Sequence, residues 1–370
     1  MAPNPHKNRS GAILTIDLDA VRANYRLLRA RAAPAACSAV LKSDAYGLGA
    51  IAVAAALYDE GCRHFFVAHL DEGIALRRHV AADAAVIVLH GPPVGTDADF
   101  TANGLTPVLN SVQQVAGWRA HAAALGRTLG ALIQVDSGMS RMGMAPAEVD
   151  EWLADPHFLD GIALEYLMSH LACADQPDNP MNALQLARFN AIRARAPACP
   201  ASFANSSGVF LPKAYHFELV RPGAALYGIA PVAGAANPMR PVVRLQGKIL
   251  QTRTIEPGDH VGYSRRYTAS ETRQVATVSV GYADGWMRSM SNNGVAVVDG
   301  VRVPQIGAIS MDSITLDVSA IARERVAAGS LVDLICAEHP VDAVASLANT
   351  IGYEVLTNLG RRYYREYTGA

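Results

Sequence analysis

Lysine is scarce in this chain, and Lys42 lies where an amine could do chemistry. The only lysines are Lys7, Lys42, Lys213 and Lys248. Lys42 ends the apolar run 39–41 and leads into a tight segment that contains Gly47 and Gly49. An amine at the tip of a predicted strand, in a chain that otherwise prefers arginine, is typical of a lysine that forms a Schiff base with a carbonyl compound. A lysine that merely extends its charged end into solvent gives the same pattern, and this segment alone does not separate the two interpretations.

Several polar residues that suit anion binding also follow apolar runs. Arg141 comes after the run 131–135, and its planar fork of donors fits a carboxylate or another oxyanion. Two later segments combine small residues with hydroxyl or amide groups, which lets backbone N–H groups approach a phosphate. Those segments contain Asn205, Ser206, Arg221, Gly223 and Ala224. Ordinary loop composition is the competing interpretation for each segment taken singly.

Histidine and cysteine do not form a predicted metal site. His170 follows the run 162–168 and could be a base, a ligand or a core histidine. The other histidines lack metal-ligand spacing, so no catalytic metal is predicted. The five cysteines are odd in number and contain no C-x-x-C pair, which favours reduced thiols in the cytosol over a disulfide framework.

Alternating strand and helix patterns predict the element that positions these residues. From Ile13 onward, short β-rich runs alternate with longer helical patterns, giving roughly eight repeats up to Pro241. This number favours a closed (β/α)8 TIM barrel, which typically takes about 250 residues. A doubly wound open sheet is the alternative. Both folds bind ligands at the carboxyl ends of the strands, which is where Lys42, Arg141, His170 and Arg221 lie in the pattern.

The pattern changes beyond Pro241, where β-branched runs are broken by Gly, Pro and Asp and a single helix is predicted at 341–351. We therefore expect residues 12–241 to form the barrel and residues 242–370 a smaller, mostly antiparallel β domain. Residues 1–11 form an N-terminal extension that could pack with that domain. Tyr282, Met311 and Tyr353 lie in polar or glycine-containing segments of it, and composition alone assigns them no role.

Composition argues against several classes of function. The net charge of -1 and the pI near 6.8 argue against a nucleic-acid partner, which requires a basic face. No run approaches the roughly 18 apolar residues of a membrane span, and no secretory signal is visible, so we expect a cytoplasmic protein. Gly47, Gly49 and Ala52 fit G-x-G-x-x-A, but the five residues 42–46 separate the predicted strand from the first glycine, and this argues against dinucleotide binding.

Taken in order, these segments resemble the alanine racemases, which are fold-type III pyridoxal-phosphate enzymes. The resemblance covers nearly the whole chain. It rests on eight segments, at 40–49, 135–143, 168–170, 204–206, 221–223, 281–285, 310–312 and 352–354.

The resemblance implies a (β/α)8 barrel followed by a β domain, bound pyridoxal 5'-phosphate, a small amino acid substrate and a homodimer with shared active sites. It implies that Lys42 and Tyr282 are the two catalytic groups, with Tyr282 reaching in from the partner subunit. Inversion of a stereocentre needs such groups on opposite faces of Cα. The residues implied to bind the cofactor are Lys42, Tyr46, His170, Asn205, Ser206, Arg221, Gly223, Ala224 and Tyr353. Those implied to bind the substrate carboxylate are Arg141 and Met311.

The chain departs from the family pattern in two places. Gln134 stands where many members carry a carbamylated lysine, so we expect Gln134, with or without a bound anion, to orient Arg141. Gly307 and Ala308 stand where an arginine is common. The alternatives in function are a racemase of broader specificity, acting for example on serine, and an amino-acid decarboxylase of the same fold. A non-catalytic carrier of the cofactor would be a barrel alone.

Overall fold

The computed structural model describes residues 5–369, which form two compact units. One unit, the barrel unit, comprises 21–226 and 230–239. The other, the β unit, comprises 5–20, 227–229 and 240–369. Within the described residues, no helix is long and apolar enough to cross a membrane.

The strands up to residue 221 are β1 (Ala12–Asp17), β2 (Ala36–Cys37), β3 (Ala39–Val40), β4 (His64–Val67), β5 (Ala85–Val88), β6 (Thr106–Leu109), β7 (Leu129–Gln134), β8 (Ile162–Met168), β9 (Ala201–Asn205) and β10 (Leu219–Arg221). The later strands are β11 (Val243–Ile255), β12 (His260–Val261), β13 (Tyr267–Thr268), β14 (Arg273–Val278), β15 (Val295–Val298), β16 (Val301–Ile306), β17 (Ile314–Asp317), β18 (Leu331–Ile335) and β19 (Tyr364–Thr368).

The helices are α1 (Pro5–Arg9), α2 (Leu18–Ala32), α3 (Lys42–Gly47), α4 (Ala50–Asp59), α5 (Leu70–Arg77), α6 (Asp97–Ala102), α7 (Val112–Leu125), α8 (Pro146–Ala154), α9 (Pro180–Arg193), α10 (Val341–Ala348) and α11 (Gly352–Asn358). Short 3₁₀ turns lie at Gly208–Phe210, Lys213–Tyr215, Ala224–Tyr227, Tyr263–Arg265, Tyr282–Asp284, Arg288–Met290 and Arg323–Arg325.

The barrel unit is a parallel sheet in the order β2-β10-β9-β8-β7-β6-β5-β4-β3. The first and last strands of that order are separated in sequence by Ser38 alone, because β2 pairs with β10 while β3 pairs with β4. The Ser38 amide donates to the Val220 carbonyl at 3.0 Å, which continues the contact with β10. One stretch of chain therefore joins both ends of the sheet, and the predicted (β/α)8 barrel is confirmed.

The barrel interior is filled by one apolar side chain from each of seven strands. This ring consists of Val40, Phe66, Ile87, Val108, Leu132, Met168 and Leu219, all buried. Large branched and aromatic side chains fill the cross-section, so the barrel is a packed core that leaves ligands to its ends. The segments that follow each strand come together at the carboxyl-terminal end.

The β unit is mostly antiparallel, as predicted. Strands β14, β17, β16, β15, β18 and β11 follow one another in the sheet, and β14 also pairs with β11, which closes them into a ring. A second apolar cluster, with Ile255, Val261, Val275 and Ile306 at its centre, packs within this unit.

Two elements differ from the sequence prediction. The run at 13–18 looks like the first barrel strand, but β1 pairs antiparallel with β11 and parallel with β19, so it belongs to the β unit. The alternating pattern cannot distinguish these partners, because strand propensity does not specify which sheet a strand joins. The helix predicted at 341–351 ends at Ala348, since Asn349 adopts a left-handed φ of 57°, and α11 then begins at Gly352.

Candidate active site

Lys42 lies just beyond β3, at the carboxyl-terminal end of the barrel. The Leu41 amide donates to the Phe66 carbonyl at 2.7 Å, so the strand pairing holds the chain up to the residue before Lys42. The next four residues, 43–46, all have φ between 53° and 57°. These angles make α3 a left-handed turn and not a right-handed helix. We call residues 42–49 the Lys42 turn, and the Tyr46 side chain within it is buried.

The surroundings of Lys42 lower the pKa of its amine. Burial lowers the pKa of Lys42, and the nearby positive charge of Arg141 lowers it further, while the carboxylate of Glu72 acts in the opposite direction. A lowered pKa increases the fraction of unprotonated amine at neutral pH, which is the nucleophilic form.

Arg221, buried at the end of β10, pairs with the half-buried His170 in the loop just after β8. The Arg221 guanidinium donates to the Ser202 hydroxyl and, at 2.7 Å, to the Ser169 carbonyl. Its Nη2 lies 3.4 Å from His170 Nδ1, and because arginine only donates, Nδ1 is the acceptor. Burial, with Arg221 as the next cause, holds the pKa of His170 well below its usual range. Burial lowers the pKa of Arg221 to about 9, which leaves it charged at neutral pH beside a neutral imidazole.

The loop after β10 packs closely against the Lys42 turn. The Ser206 hydroxyl accepts hydrogen bonds from the amides of Gly223, at 2.9 Å, and Ala225, at 3.2 Å. A Cβ atom added to Gly223 would lie 2.5 Å from the Tyr46 hydroxyl oxygen and 3.2 Å from Val40 Cβ. The close approach therefore requires glycine, and it brings Tyr46, Ser206 and the start of the Ala224–Tyr227 turn together.

Asn205 braces the preceding loop. Its side-chain oxygen accepts from the Gly208 amide at 2.9 Å, and its amide nitrogen donates to the Leu171 carbonyl at 3.3 Å. The oxygen and the nitrogen of the Asn205 side chain are thus both hydrogen-bonded to backbone groups. The predicted contact of Asn205 with a cofactor remains a prediction.

Arg141 stands at the exposed tip of the loop that follows β7. Asp136 fixes the base of this loop, because its Oδ1 accepts from the amides of Gly138, Met139 and Ser140 at 2.8–3.1 Å. Gln134 is the last residue of β7 and is buried, and its carbonyl accepts from the Met144 amide at 2.8 Å. The loop is therefore anchored at both ends while the arginine remains accessible.

The other predicted site residues lie in the β unit, where two loops are joined. The amide of Tyr282 donates to the Ser310 carbonyl at 3.0 Å, and that of Ala283 donates to the Met311 carbonyl at 3.0 Å. A Cβ atom on Gly281 would lie 2.3 Å from the Met311 oxygen, so glycine permits this contact. The sequence treated the two segments separately, and the structure brings Tyr282 and Met311 side by side.

Asp284 and Arg362 connect the loop that carries Tyr282 to the loop that carries Met311. Arg362 donates to Asp284 Oδ1 and to Asp312 Oδ1, each at 2.7 Å. Asp284 is buried, and its Oδ2 accepts the Gly281 amide at 2.9 Å. Arg362 was not predicted, since an arginine near the end of the chain has no local pattern that points to a site.

Tyr353 is the second residue of α11. Its side chain is 36% exposed, that of Tyr282 44% and that of Met311 53%.

Two supporting residues in the barrel unit were also missed. Gln185, fully buried on α9, donates to the His170 carbonyl at 2.9 Å and accepts from the Ala172 amide at 2.9 Å. Glu72 accepts the Ser43 amide at 2.6 Å. A helix-cap pattern would have identified Glu72 only as a cap, because it lies three residues after His69. Among the described residues, no group of three or more His, Cys, Asp or Glu side chains could hold a metal ion.

Comparison with known proteins accounts for both units. The family of alanine racemase N-terminal domains matches residues 16–231, and that of alanine racemase C-terminal domains matches residues 242–367. The chain belongs to the alanine racemase family. A relative from Mesorhizobium japonicum named "Alanine racemase, catabolic" is 52% identical over 97% of this chain and 94% of its own length. An alanine racemase from Rhodospirillum rubrum is 47% identical over 98% of both chains.

Solved structures of the alanine racemase family show the same fold. The alanine racemase of Bartonella henselae, a crystal structure with covalently bound pyridoxal phosphate, superimposes with a TM-score of 0.94 at 39% identity and covers 97% of this chain and 99% of that one. The biosynthetic alanine racemase of Pseudomonas aeruginosa gives a TM-score of 0.90 at 32% identity, with 97% and 99% covered.

Proposed function

We propose that this chain interconverts L-alanine and D-alanine with pyridoxal 5'-phosphate as its cofactor. The observation that carries the proposal is the position of Lys42, the amine with a lowered pKa, at the same barrel end as the Arg221–His170 pair and the Gly223 contact. Family membership and the pyridoxal phosphate bound to the Bartonella henselae relative support it.

The residues present fit this cofactor. Lys42 supplies an amine for its aldehyde, and Arg221 supplies a donor for its ring nitrogen, with His170 behind it. The amides near Gly223 and Ala224, with the hydroxyls of Tyr46 and Ser206, offer donors to a phosphate. A side chain at Gly223 would fill this space, since its Cβ would lie 2.5 Å from the Tyr46 oxygen. Tyr353 and Asn205 complete the proposed set.

The chain supplies the proton transfers. When bound, the cofactor withdraws electrons from the substrate Cα and makes its proton acidic. Lys42 takes or returns the proton on one face, and Tyr282 does so on the other, because inversion needs a group on each side. Arg221 keeps its own protons at neutral pH, so it would donate a hydrogen bond to the cofactor's ring nitrogen without transferring a proton to it, which would limit charge delocalisation.

Arg141 and Met311 orient the substrate carboxylate. Arg141 is accessible at its loop tip, and a guanidinium binds a carboxylate through paired N–H groups. The Met311 carbonyl already accepts from Ala283, so the N–H of Met311 is the backbone group suited to an anionic oxygen. Gln134 supports Arg141 without the negative charge of a carbamate.

We infer that the enzyme is a homodimer in which Tyr282 and Met311 complete the partner's site. Tyr282 and Met311 lie on adjoining loops of the β unit and both side chains are exposed, so they are available to a partner chain. The substrate partner is a small amino acid, and no nucleic-acid or membrane partner is proposed. We place the enzyme in the cytoplasm, where its five free cysteines stay reduced. There the reaction either supplies D-alanine for the cell wall or begins the breakdown of D-alanine.

A decarboxylase and a racemase of broader specificity are the competing functions. A decarboxylase of this fold would use an acidic partner for the ring nitrogen, and this chain has Arg221 instead. A panel of L-amino acids that includes alanine and serine, analysed by chiral chromatography, tests specificity. We expect D-alanine without release of carbon dioxide, and gas release would contradict the racemase.

Covalent trapping at Lys42 tests the cofactor assignment. We expect the purified protein to be yellow and to lose its colour on borohydride reduction, with the added mass on the peptide that carries Lys42. Lys42→Ala should abolish both, and Lys213→Ala, an exposed lysine elsewhere in the barrel unit, should change neither. A colourless wild type that ignores added pyridoxal phosphate would contradict the proposed function.

A further inference from the structure

The backbone of the Lys42 turn needs support. Four consecutive residues that are not glycine, Ser43 to Tyr46, have φ between 53° and 57°. A left-handed helical conformation costs an L-residue roughly 1–2 kcal/mol. The turn carries Lys42 at its start and Tyr46 at its end, so its conformation sets the separation of two proposed site residues.

Local hydrogen bonds hold part of the turn. The Ala45 amide donates to the Leu41 carbonyl at 2.8 Å, and the Gly49 amide donates to the Asp44 carbonyl at 2.9 Å. Asp44 Oδ1 accepts from the Ala50 amide at 2.7 Å and ties the turn to the start of α4. These bonds fix the turn against its own chain neighbours.

Glu72 ties the same turn to the next strand–helix repeat. Its Oε1 accepts from the Ser43 amide at 2.6 Å, directly after Lys42. Its Oε2 accepts from the amides of Ala68, at 2.8 Å, and His69, at 3.0 Å, where α5 begins. One half-buried carboxylate thus accepts three backbone N–H groups from two separate segments, and its charge also attracts the Lys42 ammonium.

We propose that Glu72 is a positioning residue that holds the Lys42 turn, so that the amine of Lys42 and the phenol of Tyr46 face one cofactor site. The inference rests on the proposed function only for the identity of that cofactor. The support of the turn itself follows from the contacts of Glu72.

Glu148 provides the matched control. It is also the third residue of its helix, α8, and it is half-buried. Its Oε2 accepts from the Ala145 amide at 2.8 Å at the helix start, and its Oε1 accepts from the Val112 amide at 3.2 Å at the start of α7. Like Glu72, Glu148 therefore connects two segments of the barrel unit by accepting their backbone N–H groups, but it does not contact a proposed site residue.

The test compares Glu72→Ala, Glu72→Asp and Glu72→Gln with Glu148→Ala in the full chain. Amide hydrogen exchange is measured on peptides that cover 41–50, with the holoenzyme as purified. The rate of cofactor capture is measured after the cofactor is removed with hydroxylamine and pyridoxal phosphate is added back, with borohydride trapping at Lys42. Thermal unfolding reports general stability.

We expect Glu72→Ala to speed exchange in 41–50 and to slow capture, each by roughly tenfold to a hundredfold, as for loss of a hydrogen bond to a charged group. Glu72→Asp should behave similarly, because the shorter side chain cannot span both segments. Glu72→Gln keeps one carbonyl oxygen for Ser43 and should recover part of both rates. Glu148→Ala should lower Tm comparably and leave both rates at wild-type values.

Equal exchange and capture in the Glu72 and Glu148 variants would overturn the proposal and leave Glu72 as a helix cap. If Glu72→Ala does not fold, Glu72→Asp and Glu72→Gln decide by the same two rates. If the wild type captures no pyridoxal phosphate, the proposed function fails, and exchange in 41–50 still decides whether Glu72 holds the turn.

Discussion

The ionisation of Lys42 has a consequence that can be measured without turnover. Burial and Arg141 lower its pKa, so the free amine predominates at a lower pH than for an ordinary lysine. We expect the rate of pyridoxal phosphate capture by the cofactor-free protein to rise with pH with a midpoint below that of a free lysine side chain, measured by absorbance. A midpoint equal to that of Nα-acetyl-lysine under the same conditions would contradict the assignment.

A substitution at Gly223 tests the proposed phosphate-binding site. Gly223→Ala places a methyl group 2.5 Å from the Tyr46 oxygen, and one of the two must move away. We expect the Kd for pyridoxal phosphate, from absorbance titration, to rise by about tenfold or more, which corresponds to about 1.4 kcal/mol. Gly117→Ala is the control, since its methyl group would meet Asp97 only at an ordinary 3.6 Å.

At the scale of elements, Arg362 couples the two loops that carry Tyr282 and Met311. Arg362→Ala removes both ion pairs, so that the buried Asp284 carboxylate keeps its hydrogen bond from the Gly281 amide but loses its cationic partner. We expect kcat/KM for alanine to fall about tenfold to a hundredfold, since small misplacements of reacting groups are costly. Cofactor absorbance should stay unchanged.

Arg325→Ala is the comparison for this experiment. Arg325 forms a similar two-bond pair with Asp299, but both side chains are largely exposed, and such pairs contribute little. Its kcat/KM should equal that of the wild type. Equal losses in both variants would show that Arg362 has no particular role.

The sequence predicted the barrel and the β unit because their hydrophobic periods differ, and it located Lys42, Arg221 and His170 because each follows a strand. It did not predict that β1 pairs within the β unit, since pairing is a long-range choice. It also missed Glu72, Gln185 and Arg362. Glu72 and Gln185 bind backbone groups, and Arg362 binds carboxylates, that are distant in sequence, so no local pattern predicts these contacts. The domain boundaries at 12, 241 and 242 and the roles of the site residues remain predictions.

For the whole molecule, histidines that are wholly or partly removed from solvent predict sensitivity to acid. Burial is the largest cause of a lowered pKa at the buried His216 and His339 and at the half-buried His64 and His170, and the pKa of His339 falls to about 4. Below the unfolded value of about 6.5, the unfolded chain binds protons that the folded chain does not. The contribution of these neutral histidines to the free energy of unfolding should therefore be fully present above about pH 6.5 and should decline as the pH falls toward 4.

His339→Gln isolates one contribution. Its side chain lies buried beside Arg302, with Nδ1 3.3 Å from the guanidinium, so it resists a second positive charge. We expect the variant to lose less Tm than the wild type between pH 7 and pH 5, measured by calorimetry at matched ionic strength. His157→Gln, at an exposed position, should keep the wild-type slope. An unchanged slope in His339→Gln would rule out this source of acid sensitivity.

The barrel closes at Ser38 only when β2 pairs with β10, a strand that is synthesised much later. A nascent chain that ends before β10 has no partner for β2 and lacks Arg221 and Gly223, although Lys42 was made long before. The proposed cofactor-binding residues Lys42, Arg221 and Gly223 therefore come together only when β10 pairs with β2.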